Sequence, residues 1–222
     1  MTQDKNQNLS VFYWKLIVDT VEGVQKKICD ENGIALSPKS AEELCPIPVF
    51  EEAKANLLQT ANYARRPTEI KWITNGTFEY LNAYIKSYKD PTTKRKRSEV
   101  VVTTPNYCLA RFFAAKELMH CFIDDDGHSA TNTLDLARSL IDDLAASGLP
   151  RTEPQTIVDE FAWLGATRYL IPDGWVGPIT KTIEELNKVD SANAYYYVAQ
   201  KIRAPEVVLR ARLRLAGRKV RS

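Results

Sequence analysis

Between Pro105 and Ile123 the chain reads as one helix that is apolar on almost every side. At about 100° per residue, Leu109, Phe112, Phe113, Met119 and Ile123 fall on or near one side, and Cys108, Ala115, Leu118 and Phe122 cover another. A helix with so little polar surface has to be enclosed by the rest of the molecule. Within this helix, Lys116, Glu117, His120 and Asp124 fall inside an arc of roughly 100°. Such groups on a core helix cost free energy unless they pair with one another or hold a ligand. Two readings follow. In one, the stripe is a structural cluster, with Lys116 paired to Glu117 or Asp124 and His120 hydrogen-bonded. In the other, it is a catalytic centre or the remnant of one.

The stripe has a recognisable spacing. Lys116-Glu117-Leu118-Met119-His120 departs from H-E-x-x-H only at its first position. In that motif two imidazoles one turn apart bind zinc from one helix face, and the glutamate activates a metal-bound water. Glu117 keeps the general-base position and His120 the second ligand position. Lys116 puts an ammonium in place of the first ligand, with three donors and no acceptor while it is protonated. Glu117 and the run Asp124-Asp125-Asp126 favour that protonated form. His128 and His120 together are a weaker metal-site candidate, and the preferred reading of 124–128 is a solvated loop. The acidic run lacks the Gly and Glu pattern of a calcium-binding loop.

Before the central helix, 10–31 has helical spacing in Trp14, Val18, Val21, Val24 and Ile28, with Ser10 as a cap and Gly33 past its end. A second helix is expected over 51–64, limited by Pro67. Three strands are then expected, at 70–73, 80–85 and 99–103. Asn75-Gly76 would make the first hairpin turn, and the basic loop 94–97 would lie before the third strand. Residues 78–86 also fit a helix. Beyond the central helix, helices are expected over 134–147, 154–170, 180–188, 192–202 and 205–216, with Thr152 and Gln155 as a capping box and Pro205 at a first helical position. The organisation is read as an N-terminal helical region over 1–66 and a second region over 67–222.

Charge is unevenly spread although the net charge is only +2. Residues 121–160 carry nine acidic and two basic side chains, and 201–222 carry eight basic and one acidic. Cys29, Cys45, Cys108 and Cys121 have no C-x-x-C spacing, which suggests reduced thiols in a cytoplasmic protein. The polar start of the chain lacks a signal-peptide core, and no apolar run is long enough for a bilayer, so no membrane association is expected.

Several segments share an order with one known family. Val100-Val101-Val102-Thr103-Thr104-Pro105-Asn106 and Arg111-Phe112-Phe113-Ala114-Ala115 lead into the stripe. They resemble the strand, Asn and R-F-T-L-A that precede H-E-L-G-H in the ImmA/IrrE metallopeptidases. Ala162-Trp163-Leu164-Gly165-Ala166-Thr167-Arg168-Tyr169-Leu170-Ile171-Pro172 is similar to the family's E-A-N-x-F-A-x-x-L-L-x-P. The segment from Ala199 to Leu213, followed by Gly217, resembles its A-x-x-F-x-V-S-x-x-A-x-x-x-R-L ending. The resemblance covers about residues 95–217. It implies an α+β fold: a mostly helical zincin-like domain with a small antiparallel sheet packed on the active-site helix. It also implies partners among helix-turn-helix repressors of mobile elements and stress regulons. The third zinc ligand of the family is the Glu before A-N, a position held here by Phe161. Asp159 and Glu160 lie one or two residues earlier, about 100–200° away around a regular helix.

The resemblance therefore implies a regulatory pseudoenzyme that binds a helix-turn-helix-type regulator, with Lys116 and Phe161 as degenerate ligand positions and no cofactor expected. The enzyme question stays open. The alternative is an active metallo-endopeptidase that cleaves such a repressor, with zinc on His120 and Asp159 or Glu160, and with Glu117 as base. Asp124 and Arg111 are further candidate binding residues. A second alternative, ranked below both, is a DNA-binding regulator using the basic C-terminal helices, with Arg210, Arg212, Arg214, Arg218, Lys219 and Arg221. Direct nucleic-acid contact is not the expected mode.

Overall fold

The computed structural model describes residues 2–49, 68–73, 83–123, 129–130 and 154–219. The first helix, α1 (Thr2–Asn32), starts earlier than its apolar spacing suggests, so Ser10 lies inside it rather than at a cap. It buries Ile17, Val21, Val24 and Ile28. The helix ends on Gly33, whose φ of 66° supplies the left-handed residue of a C-terminal cap. Ile34 N–H donates to Cys29 O at 2.8 Å and Gly33 N–H to Asp30 O at 3.4 Å, satisfying two carbonyls of the last turn.

Four strands follow: β1 (Thr68–Trp72), β2 (Ala83–Lys89), β3 (Lys96–Val102) and β4 (Ser129–Ala130). Residues 83–86 are thus strand, not helix. The expected helices over 51–64 and 134–147, the Asn75-Gly76 turn and the Thr152 cap lie outside the described residues. The sheet order is β1-β3-β2-β4. It is mixed rather than antiparallel: β2 and β3 pair antiparallel, whereas β1 runs parallel to β3, and β4 parallel to β2. The physical reason lies in β3. Val100, Val101 and Val102 are all buried, a run that needs cover on both faces and suits a central strand. The turn after Asp90 commits β2 to one edge of β3. Asp90 Oδ1 accepts from Thr92 N–H at 2.9 Å and from Thr93 N–H at 2.8 Å, and Lys94 takes φ 57°. The other edge of β3 is taken by β1.

Five more helices complete the described chain: α2 (Tyr107–Ile123), α3 (Pro154–Leu170), α4 (Asp173–Asn187), α5 (Ala194–Lys201) and α6 (Glu206–Lys219). Helix α4 starts seven residues before its expected position, because Pro178 is accommodated inside it. Helix α3 packs against both α2 and α1. Small residues permit this approach: Ala162 and Ala166 are fully buried, and a Cβ on Gly165 would meet Ile17 Cγ2 at 2.8 Å and Met119 Sδ at 2.9 Å. Gln25 on α1 donates to the carbonyls of Arg168 and Tyr169 at 2.6 and 2.9 Å, capping the end of α3. As its sequence requires, α2 is enclosed, with Ala110, Ala114, Ala115, Leu118 and Met119 at zero exposure. The buried residues of α1, α2, α3 and the sheet form one core. No helix among the described residues is long and apolar enough to cross a membrane.

Candidate functional site

The polar stripe of α2 sits where α2 meets the first half of α3. Lys116, Glu117 and His120 come to one side because residues three and four apart stack along a helix. Asp159 comes from α3, three residues before the tightly packed Ala162 and four before Trp163. The Trp163 ring lies 5.9 Å from Phe112 on α2, so this face of α3 is the one turned to α2.

Lys116 Nζ lies 2.5 Å from Asp159 Oδ1 and 3.6 Å from Glu117 Oε1. His120 Nε2 lies 3.5 Å from the same Asp159 oxygen. One ammonium thus stands between two carboxylates, and one carboxylate oxygen serves both a lysine and an imidazole. The cluster grades from interior to surface. His120 is 1% exposed, the Lys116 side chain 18% and the Asp159 side chain 42%. Any ligand would therefore approach over Asp159.

Partial burial of Asp159 opposes its charged form. The hydrogen bond from His120 and the nearby Lys116 ammonium outweigh this and hold its carboxyl well below the usual carboxylate range. Because the folded value is depressed, this carboxylate's stabilisation is complete above its ordinary value near 3.8. It is lost as the pH falls below that value and through the depressed one. An Asp159→Asn variant is accordingly expected to lose less stability than wild type between about pH 5 and pH 2. Parallel stability curves in urea titrations across that range would show that the charge on Asp159 does not support the fold.

The other expected site residues are placed as follows. Phe161 is buried and faces α1, its ring 6.1 Å from Trp14, so the position aligned with the family's third ligand does not face the stripe. Glu160 is exposed to solvent. Asp124 and His128 lie outside the described residues. Arg111 is fully buried and donates through Nη1 to Ile202 O at 3.0 Å and to Arg203 O, and through Nη2 to Ile47 O. It ties three chain segments together away from the stripe. Counted along a regular helix, Asp159 lies off the ligand register. The readable signal was the small-residue face Ala162, Gly165 and Ala166, which Asp159 extends toward the start of α3.

In the basic tail, Arg212 is buried against Asp173, and Arg210 pairs with Glu206 at 2.7 Å while its guanidinium lies 3.7 Å from the Tyr195 ring centroid. Two of its arginines are thus engaged within the protein. Arg97, in the other basic segment, pairs with Asp90 at 3.2 Å. None of the four cysteines is in a disulfide; burial pushes the Cys29 thiol up to about 12.

A zinc ion held here would draw on His120 Nε2 and an Asp159 oxygen, with Glu117 beside it. Lys116 does not fit that group. Its ammonium occupies the contact with Asp159 that a metal would need, and it offers no lone pair. Compared with models of known protein families and with curated proteins, the chain matches none.

Proposed function

We propose that this chain is a pseudopeptidase of ImmA/IrrE type, a zincin-like domain whose centre is held by a lysine in place of a metal, and that it acts by binding a helix-turn-helix-type regulator. One observation carries the reading. The Lys116 ammonium stands among Asp159, Glu117 and, through Asp159, His120, where the resembling family would bind its cation. A lysine supplies the positive charge that keeps this half-open carboxylate cluster together. It supplies no Lewis acid to polarise a peptide carbonyl and no bound water of lowered pKa.

A partner segment has a place to pair. The strand leading to Pro105 is β3, whose two edges are taken by β1 and β2, so it cannot itself accept an extended peptide. Among the described residues β1 forms an outer edge of the sheet. Its Trp72 donates to Thr104 O at 2.9 Å and lies 5.5 Å from the Tyr107 ring at the start of α2. Strand addition along β1 would bring a peptide to the helix that carries the cluster.

The runner-up, an active metallo-endopeptidase, draws on the position of Asp159. That residue faces His120, with Glu117 on the other side of Lys116, and would be a ligand if Lys116 were displaced. Capture of partners from the native host, followed by intact-mass analysis, separates the two. Full-length partner, with capture unchanged by Glu117→Gln, is the expected result. Recovery of two fragments, with cleavage abolished by Glu117→Gln, would make this an enzyme.

A further inference from the structure

Nine residues along α3 from Asp159, about 13 Å at 1.5 Å per residue, the helix ends in a second charged group. Arg168 in the last turn of α3 is 8% exposed, and Arg212 on α6 is 5% exposed. Asp173, the first residue of α4, takes Arg168 Nη2 on Oδ2 at 2.7 Å and Arg212 Nη2 on Oδ1. Arg168 Nη2 also reaches Glu22 at 3.2 Å, and Arg212 Nε donates to Ile171 O at 3.0 Å. Both carboxylate side chains are more than half exposed, so water weakens their hold on the two buried cations. A guanidinium carries five N–H donors and does not lose its charge. Arg168 makes both of these bonds through Nη2 alone, leaving Nη1 and Nε, and Arg212 has Nη1 left.

These two arginines line a cavity of about 350 Å³. Asp173, already paired with both arginines, and Thr167 also line it, and the rest of the wall is apolar: Trp14, Leu164, Val176, Leu215 and Ala216. The volume is at the lower end of the range for small-molecule sites, about 300–1,000 Å³. An apolar wall alone would suit any hydrophobic body, and two surface arginines alone would suit any anion. Here buried donors and apolar wall share one space, and the guanidinium fork matches a carboxylate in two-point geometry.

We propose that this cavity binds a small organic acid with an apolar body, its carboxylate on Arg168 and Arg212 and its chain against Trp14, Leu164 and Leu215. The site is separate from the Lys116 cluster and does not depend on the reading of that cluster.

Calorimetric titration of the full chain with decanoate, below its micellar concentration, tests the proposal. Saturable one-to-one binding is expected, at least tenfold tighter than decanol, with acetate giving no saturation at the same concentrations. Ala216→Trp, which fills the cavity while leaving Arg168, Arg212 and Asp173 unsubstituted, is expected to abolish decanoate binding and the rise in melting temperature that decanoate gives the wild type. Val176→Trp serves the same purpose from α4 if the first variant does not fold. Absence of saturable decanoate binding, equal affinity for decanol, or unchanged binding in a folded cavity-filled variant would each overturn the proposal.

Discussion

Replacing Lys116 by histidine is expected to raise zinc affinity on the order of a thousandfold, because one change removes a competing cation and adds a ligand. In wild type the ammonium lies 2.5 Å from Asp159 Oδ1, so a metal has to break that pair before it gains its first carboxylate. In the Lys116→His variant, the introduced imidazole and that of His120 would be one turn apart on α2, with Asp159 facing them from α3, a set of three protein ligands. Lys116→Met removes the cation without adding a ligand and should gain far less. Placing a carboxylate at Phe161, where the resemblance aligns a zinc-binding glutamate, should not help. Phe161 is buried against Trp14, and a charge there would be desolvated without a partner. Competition with a chromogenic zinc chelator, on protein purified without chelators, reads these affinities directly. Wild-type protein carrying one tightly held zinc per chain, lost on His120→Ala, would overturn the view that a lysine has replaced the metal.

Arg111→Met is expected to destabilise the fold by about 4 kcal/mol, since hydrogen bonds from a charged donor contribute about 1.5–3 kcal/mol each and the carbonyls left behind stay buried. Arg111 is at zero exposure and donates to the carbonyls of Ile47, Ile202 and Arg203. These lie in the segment after α1 and in the turn between α5 and α6, so one side chain on α2 fastens two distant parts of the chain to the central helix. That turn needs fastening: Arg203 itself takes φ 50°, an uncommon backbone conformation for a residue other than glycine. Arg111→Lys should recover little, because a single ammonium cannot reproduce a planar fork that reaches two separate segments. Urea unfolding measures both variants. An Arg111→Met protein within about 1 kcal/mol of wild type would mean that water replaces the guanidinium at those carbonyls.

The expectation that Arg111 binds a ligand and the finding that it holds the fold start from the same sequence. A charged residue on an apolar helix signals a special environment, whether catalytic or structural. Which of these applies depends on what the helix meets. The carbonyls that Arg111 satisfies are 64, 91 and 92 residues away, beyond any local pattern. Asp159 shows the reverse. Counted along α3, it is out of register with the ligand position. The approach of α2 and α3, set by Ala162, Gly165 and Ala166, places it on Lys116 and His120.

Local chemistry made most helices legible. The spacing of Val21, Val24 and Ile28, the glycine at 33, and the near-continuous apolar surface of α2 each have a cause within a few residues, and each reappears in the structure. The position of the polar stripe was legible for the same reason, since 3.6 residues per turn puts Lys116, Glu117 and His120 on one face. Strand pairing was not. Hairpin chemistry at Asn75-Gly76 pointed to an antiparallel neighbour for β1, yet β1 runs parallel to β3. Pairing is decided by which strand needs cover on both faces, and the run Val100-Val101-Val102 takes the centre. The partners of the stripe were equally beyond local reading, because an ion pair between helices depends on how closely and in what register the helices pack. Periodicity specifies a face of a helix; only tertiary packing supplies the atoms opposite it.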